Sequence, residues 1–241
     1  MKIAICTPHY GDVTADFAIS LARMVAATVQ VEVNFNGKTV RPEVEIFFRT
    51  SSLLPDLRSA LVKQAMDWGA NFLLWADADH SFPSRALIRL LSLNLPVVGA
   101  NYPRRRPPYH PTAVGLDHEM VWTSEADADS ESVIQVLALG LGFCLIDRTV
   151  FETLTDHAQA SGEESMWPLF AIEMGSDGTT VAGEDVFFFN KLLLAGVPVY
   201  LDHVVSWTIG HVHQRVLTNA DAGRSGILPS GGPITHSASR S

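Results

Sequence analysis

The sequence predicts an α/β fold in a single domain, with a sheet flanked by helices. Its 241 residues, of which 47% are hydrophobic and 18% charged, suit one globular domain with a sizeable core. Over residues 1–100, short apolar runs alternate with segments of helical period. Such alternation is typical of a mostly parallel sheet. No apolar run reaches the roughly 18 residues that a membrane-spanning helix needs.

The elements of the first half follow from the positions of apolar residues and turn residues. Gly69 ends the longest predicted helix of this half, and Asn36-Gly37 is a turn signal after a strand. Strands are predicted at residues 2–6, 29–35, 44–48, Phe72–Ala76 and 97–100, and helices at 14–28, 52–68 and 84–93.

The second half differs in composition. Residues 101–118 are rich in proline, arginine and aromatic residues. From Thr218 onward the chain is glycine, serine, proline and polar residues, which predicts a flexible tail at 218–241. Between these segments we predict paired strands in 119–147 around an acidic loop at 125–131, a helix at 151–157, an irregular segment at 158–182, a helix at 186–194 closed by Gly196, and a strand at 197–201.

Charge and cysteine content narrow the classes of partner and compartment. A formal net charge of −9 argues against broad binding of nucleic acid, although Arg104-Arg105-Arg106 either holds a phosphate or an anionic acceptor, or forms a solvated loop. Cys6 and Cys144 give no disulfide framework, which predicts a cytoplasmic location. The N-terminal apolar run is too short for a signal peptide. A mean hydropathy of +0.15 is compatible with a buried sheet or a homo-oligomer interface.

The most informative stretch is the end of the strand Phe72–Ala76. Asp77 and Asp79 stand there one residue apart, followed by Pro83, which can open a helix. Carboxylates at i and i+2 of an extended segment point the same way. Oxygen ligands at a strand end suit Mg²⁺ or Mn²⁺ held together with phosphates, in the crevice where open α/β sheets bind ligands. The alternative is a turn or a helix N-cap, and the flanking sequence favours the metal site.

Two features of the first half add to this site. Thr7, Pro8 and Tyr10 belong to a turn after the first strand, where an aromatic ring can stack on a nucleotide base; the alternative is a plain loop. Arg58 lies in a predicted helix before the aspartates. It is either a cation near a diphosphate or part of a solvated helix face.

Acidic and imidazole groups occur late in the chain. Glu184 and Asp185 open a helix, where the dipole favours acids by about 0.3–1 kcal/mol; alternatively, one of them is a general base in the cleft. His211 and His213 alternate on an extended segment, so at most one points inward. That one either completes a metal site with the two aspartates or is a hydrogen-bonded, partly buried histidine.

Together these motifs resemble one family over roughly residues 1–215. They are Thr-Pro-x-Tyr after the first strand, Leu-Leu-Trp-Ala-Asp-Ala-Asp-x-x-Phe-Pro, Pro-Val-Val-Gly-Ala-Asn-Tyr-Pro-Arg-Arg, Gly-Leu-Gly-Phe-Cys-Leu-Ile-Asp-Arg at 140–148, Trp-Pro-Leu-Phe at 167–170, Gly183-Glu184-Asp185, and Gly210-His211. The chain is similar to the family 2-type glycosyltransferases of GT-A fold, in particular the compact forms common in bacteriophage and bacterial genomes.

The resemblance implies both architecture and activity. It implies a GT-A-type, Rossmann-like mixed sheet in one domain of residues 1–217, with a nucleotide-sugar half at 1–100 and an acceptor half at 101–217. The implied reaction is metal-dependent, inverting transfer of a sugar from a nucleotide-sugar to a hydroxyl. The acceptor would be a glycan, a lipid-linked glycan, a protein or a hydroxymethylated DNA base. A phage-encoded enzyme would act in the host cytoplasm.

The resemblance also implies residue roles. Asp77, Asp79 and His211 would hold Mn²⁺ or Mg²⁺ and the diphosphate. Thr7, Pro8 and Tyr10 would contact the nucleotide, Arg58 the phosphates, Asp185 would deprotonate the acceptor, and Glu184 would bind it. A UDP-sugar is the expected donor, although segment 48–52 lacks the acid that reads uracil in many members.

Two other function classes are compatible with the same residues. One is a metal-dependent phosphoester hydrolase that uses Asp77, Asp79 and the pair His211 and His213. The other is a non-catalytic module that binds a sugar nucleotide. Transfer of a sugar to an acceptor would distinguish a glycosyltransferase from both of these classes.

Overall fold

Strands of two to eight residues occur along the described part of the chain. A computed structural model describes residues 1–105, 107–212 and 216–219. The strands are β1 (Lys2–His9), β2 (Val33–Phe35), β3 (Lys38–Val40), β4 (Glu43–Thr50), β5 (Phe72–Ala76), β6 (His80–Ser81), β7 (Val97–Gly99), β8 (Val114–Gly115), β9 (Val133–Ala138), β10 (Phe143–Asp147), β11 (Glu173–Met174), β12 (Thr180–Ala182), β13 (Val199–Asp202), β14 (Gly210–Val212) and β15 (Val216–Leu217).

Eight of these strands form one mixed sheet. Their spatial order is β4-β1-β5-β10-β7-β13-β9-β8. β1 is parallel to β4 and β5, and β7 is parallel to β13. β10 lies antiparallel between β5 and β7, and β9 is antiparallel to β13 and β8. The prediction of a single α/β domain with a Rossmann-like mixed sheet flanked by helices is confirmed.

Helices cover both faces of the sheet. They are α1 (Ala15–Thr28), α2 (Leu54–Trp68), α3 (Ala86–Ser92), α4 (Glu125–Asp129), α5 (Arg148–Ala160), α6 (Glu184–Leu194) and α7 (His203–Thr208). Alternate strand residues face opposite sides. Ala4 and Cys6 of β1 therefore pack with α2, α5 and α6, and Ile3 and Ile5 with α1, α3 and α7. Within the described ranges, no helix is long and apolar enough to cross a membrane.

Local sequence explains where the main helices begin and end. The Thr14 side chain accepts a hydrogen bond from the Phe17 N–H and caps α1, and Asp147 caps α5 in the same way. Gly69, with φ of 83°, ends α2 as predicted, because glycine adopts the left-handed conformation without steric cost. The helices predicted at 14–28, 52–68, 84–93 and 186–194 are present with small shifts of their ends.

Two predictions about strands are wrong. The strand predicted at 29–35 is confined to β2, because α1 continues to Thr28 and Val29 forms its C-cap. β2 pairs with β3 through Asn36 and Gly37, both with positive φ, so the predicted turn is a hairpin turn. The strands of 119–147 are present but do not pair with each other, because β7 and β13 lie between β9 and β10.

Several helical and strand segments were not anticipated. The acidic loop predicted at 125–131 contains α4, because Ser124 and Asp127 form a capping box that starts a helix. The irregular segment predicted at 158–182 contains the end of α5 and the β11–β12 hairpin. Of the predicted tail, Asn219 is buried and its Nδ2 donates to the Asn101 carbonyl at 2.9 Å. Residues 220–241 and His213 lie outside the described residues.

Candidate functional site

A cavity of about 540 Å³ opens at the carboxyl ends of β1 and β5. Pro8 lines it from the end of β1 and Tyr10 from the turn after β1, Asp77 and Asp79 from the turn after β5, and Arg105 from the loop before β8. This edge of a parallel pair is where open α/β sheets bind ligands. The structure therefore brings four of the predicted site residues to one cavity.

Backbone hydrogen bonds hold the turn that carries the two aspartates. The Asp77 N–H donates to the Gly142 carbonyl at 2.9 Å, and the His80 N–H donates to the Asp77 carbonyl at 3.1 Å. The Thr14 N–H donates to the Ala78 carbonyl at 3.2 Å. The segment is thus a tight turn, hydrogen-bonded to the residues that directly precede β10 and α1. Its two carboxylates lie in different surroundings.

Asp79 belongs to a cluster with two histidines. His80 in β6 pairs with His211 in β14, which places both imidazoles beside this carboxylate. His80 Nδ1 lies 3.1 Å from Asp79 Oδ1, and His211 Nε2 lies 3.5 Å from Asp79 Oδ2. Each residue offers one ligand atom, and these atoms lie within 4.8 Å of one another. Asp79 and His211 were predicted ligands, whereas His80 was not anticipated.

The hydrogen bonding of His211 determines which of its ring nitrogens faces Asp79. Its Nδ1 lies 3.0 Å from the carbonyl oxygen of Pro103, which can only accept, so Nδ1 carries the hydrogen. In a neutral imidazole, Nε2 is then an acceptor, and it faces an acceptor oxygen of Asp79. Two facing acceptors require a proton or a cation between them. A histidine whose second nitrogen donates to a backbone carbonyl is the usual arrangement of a metal ligand.

The electrostatics of the cluster favour an ionised carboxylate. Burial alone would raise the pKa of Asp79, but its contacts with His211 and His80 hold that pKa well below its ordinary value. Burial lowers the pKa of His80 against the opposing effect of Asp79, which favours the neutral ring. His80 Nε2 is buried and has no hydrogen-bond partner in the described part of the chain. A carboxylate beside two imidazole rings is a suitable donor set for a divalent cation.

Close packing fixes the two imidazoles. The rings of His80 and His211 stack at a centroid distance of 4.5 Å, and Tyr102 meets His80 edge-on at 4.4 Å. Tyr102 Oη accepts from the Gly142 N–H at 2.7 Å. A Cβ at position 142 would lie 2.5 Å from His80 Cε1, so only glycine fits there. Gly142, part of the predicted Gly-Leu-Gly motif, therefore serves the placement of His80.

Asp77 contacts a buried arginine. Nη2 of Arg58 lies 3.3 Å from both carboxylate oxygens of Asp77, and Nε lies 3.4 Å from Glu184 Oε1. The Arg58 side chain is 3% exposed and stacks over the Trp75 ring, with 4.9 Å from Cζ to the ring centroid. Burial would lower the pKa of Arg58, and the two carboxylates more than offset it. Arg58 thus joins Asp77 to the start of α6.

The two acids of α6 also differ in their contacts. Burial raises the pKa of Glu184 and outweighs the opposing attraction of Arg58. The neighbouring carboxylate of Asp185 accepts from the Val186 N–H at 2.8 Å.

Thr7, a predicted nucleotide contact, is fully buried in β1, and its Oγ1 has no hydrogen-bond partner among the described residues.

Comparisons with known proteins bear on the fold. No family model matches the chain, and no curated protein matches it. The crystal structure of A197 from STIV is similar to it with a TM-score of 0.56, over 92% of both chains and at 16% identity. A likeness at this identity shows the fold alone. The chain is thus an α/β protein with a mixed central sheet, and it carries a candidate metal-binding cluster at a sheet-end cavity.

Proposed function

We propose that the protein is a glycosyltransferase that moves a sugar from a nucleotide-sugar donor to a hydroxyl acceptor with the help of a divalent cation. The observation that carries the proposal is the cluster of Asp79, His80 and His211, of which Asp79 lines the cavity at the ends of β1 and β5. The resemblance to family 2-type glycosyltransferases supports it, because their Asp-x-Asp motif corresponds to Asp77 and Asp79 and their late histidine to His211.

The donor atoms of the cluster fit Mn²⁺ better than Mg²⁺. Mg²⁺ is usually held through oxygen ligands, whereas this cluster offers two imidazole nitrogens and one carboxylate. Asp79, His80 and His211 would hold the ion, and Asp77 remains a predicted ligand that also contacts Arg58. A bound ion would stabilise the negative charge that grows on the departing diphosphate.

Residues of the first half would bind the nucleotide. Tyr10 is 69% exposed at the cavity, so its ring is free to stack on a base. Pro8 lines the same wall. Arg58 would act on the phosphates through Asp77, because its own guanidinium is buried between two carboxylates. A UDP-sugar remains the expected donor.

The acids of α6 would serve the acceptor. Asp185 would accept the proton of the attacking hydroxyl, and Glu184, which Arg58 holds in place, would orient the acceptor. Asp185 lies in the first turn of α6, where the helix dipole interacts favourably with a carboxylate.

The surface before α6 favours an acceptor without phosphates. Residues 161–185 contain six acids and no lysine or arginine. The same segment exposes apolar side chains at Trp167, Ile172 and Val181. Apolar contact suits the faces of a sugar ring or a peptide, and the acids would repel a polyanion. This argues for a glycan or protein hydroxyl over a modified DNA base as the acceptor.

The test is incubation of the full chain with a panel of nucleotide-sugars and Mn²⁺, with and without glycan and peptide acceptors. We expect acceptor-dependent release of a nucleoside diphosphate together with a glycosylated product. Thermal-shift measurements with nucleoside diphosphates would report binding independently, since a ligand of the folded state raises its midpoint. Failure of all nucleoside diphosphates to raise the midpoint with Mn²⁺ would contradict the proposal.

A metal-dependent phosphoester hydrolase is the second candidate. It is favoured by His80, because three protein ligands of the His-His-Asp type leave open positions at which a metal can activate water. Incubation with a nucleotide-sugar distinguishes the two activities. Cleavage that is independent of any acceptor, together with hydrolysis of a simple phosphodiester, would favour the hydrolase.

A further inference from the structure

Arg105 projects from a loop whose base is fixed. The Arg104 N–H donates to the His110 carbonyl at 2.9 Å, and Tyr102 and Tyr109 are buried on either side. The Arg105 side chain itself is 52% exposed and lines the cavity. A long side chain on a fixed backbone can exchange one partner for another without rearrangement of the fold.

The guanidinium of Arg105 lies where a bound cation would meet Asp79. Its Nη1 is 2.9 Å from Asp79 Oδ2, and the same oxygen lies 3.5 Å from His211 Nε2. One carboxylate oxygen is therefore shared between a cationic donor and a candidate ligand nitrogen. A divalent ion between Asp79 and His211 would lie against the guanidinium, and the two positive charges would repel each other.

The cavity offers few other positive charges. Among the described residues that line it, Arg105 is the one arginine or lysine. Arg58, the other arginine of the region, is buried and paired with two carboxylates. A diphosphate in the cavity would therefore depend on Arg105 for a guanidinium contact. Guanidinium groups bind phosphate oxygens in a bidentate, charge-assisted geometry.

We propose that Arg105 is an exchangeable counter-ion, paired with Asp79 in the ligand-free protein and with the diphosphate of the donor once a divalent cation binds Asp79. This inference rests on the proposed function, since it uses the same metal site and donor class. It adds Arg105 to the donor site and predicts the direction in which its loss changes each affinity. The metal competes with Arg105, whereas the diphosphate recruits it, so loss of Arg105 changes the two affinities in opposite directions.

The first arm of the test measures Mn²⁺ alone, by electron paramagnetic resonance, on the full chain. Arg104→Ala is the matched control, because Arg104 is an exposed arginine one residue away. We expect Arg105→Ala to bind Mn²⁺ about two- to fivefold more tightly than the wild type, the range of a partly exposed ion pair. Arg104→Ala should bind as the wild type does. Equal effects of the two variants, or weaker binding by Arg105→Ala, would overturn the exchange.

The second arm titrates inorganic pyrophosphate at saturating Mn²⁺ by calorimetry. Arg105→Ala should bind it about tenfold more weakly or worse, because a charge-assisted hydrogen bond is lost. Arg105→Lys should be intermediate, since it keeps the charge and loses the bidentate geometry. Unchanged pyrophosphate affinity would overturn the inference. A wild-type chain that fails to bind Mn²⁺ defeats the proposed metal site as well, whereas one that binds it indifferently to Arg105 defeats the inference alone.

Discussion

Asp77 and Asp79 are separated by a single residue, yet they belong to different electrostatic environments. Asp77 is paired with the buried Arg58, which also holds Glu184. Asp79 contacts two imidazoles and the half-exposed Arg105. The acids of α6 differ in a similar way, because Glu184 contacts Arg58 and Asp185 contacts its own helix. Adjacent residues of one motif thus divide between a fixed ion network and groups available to a ligand.

The largest expected effect is on the Asp79 side. Asp79→Ala should lower sugar transfer by about 10³-fold or more and abolish Mn²⁺ binding, because the one carboxylate of the cluster is lost. The thermal midpoint should fall by a modest amount, because the buried Nδ1 of His80 loses its partner, whereas Arg105 can return to water. Transfer assays and electron paramagnetic resonance check both parts.

Asp79→Ala is compared with two further variants, Asp77→Ala and the control Asp67→Ala. Asp67 is an exposed aspartate of α2 in a surface pair with Lys63, so its variant should match the wild type. Asp77→Ala should lower the midpoint, because Arg58 loses one of its two carboxylates. If Asp77→Ala abolishes Mn²⁺ binding and Asp79→Ala does not, the assignment of the two environments is reversed.

The second prediction separates the two acids of α6. Asp185→Asn keeps the shape and removes the proton acceptor, so transfer should fall within the roughly 10²–10⁴-fold range of general-base loss, with donor affinity unchanged. Glu184→Gln should mainly raise the KM for the acceptor. Rates and the anomeric configuration of the product test this together. A retained product would rule out the inverting mechanism, and an active Asp185→Asn would rule out Asp185 as its general base.

The third prediction concerns the fixed network itself. Arg58→Met should lower the free energy of unfolding by about 3 kcal/mol, at the lower end for a broken buried ion pair, because both carboxylates keep some contact with water. Mn²⁺ should still bind the folded variant, since Asp79 does not depend on Arg58. Urea unfolding measures the first effect and Mn²⁺ titration the second. Loss of Mn²⁺ binding in a folded Arg58→Met would show that the two environments are coupled.

The smallest expected effect is a pH dependence of stability. The pKa of Glu184 is raised by burial in the folded chain, so its contribution to stability is present below the ordinary pKa and is lost as the pH rises through the raised value. The Glu184→Gln variant has no titrating group at this position, so it does not lose stability in this way. The difference in unfolding free energy should therefore shift in favour of the variant as the pH increases from about 4 to about 7. A shift in the opposite direction would mean that Arg58 outweighs burial.

Local pattern was sufficient for much of the fold and part of the site. β1 and β5 are apolar runs that end in turn residues, so their carboxyl ends and the aspartates beyond could be predicted. The separation of β9 from β10 could not be predicted, because strands that are neighbours in sequence usually pair, and here β7 and β13 lie between them.

His80 could not be predicted from the sequence, whereas the burial of Arg58 could have been. His80 lies in a two-residue strand with no periodicity of its own, and its role depends on pairing with β14. Arg58 did carry a signal. It shares the spacing of Leu61, Val62 and Ala65, the buried face of α2, and a charged residue at such a position must find buried partners.

The pairing of β6 with β14 has a consequence for how the chain is made. More than half of the chain lies between His80 and His211. A ribosome that adds about 5–20 residues per second needs several seconds or more to synthesise the segment between these two histidines. A nascent chain that has not yet reached β14 holds only two of the three cluster residues. The candidate metal cluster is therefore completed late in synthesis, after all strands of the eight-stranded sheet have been made.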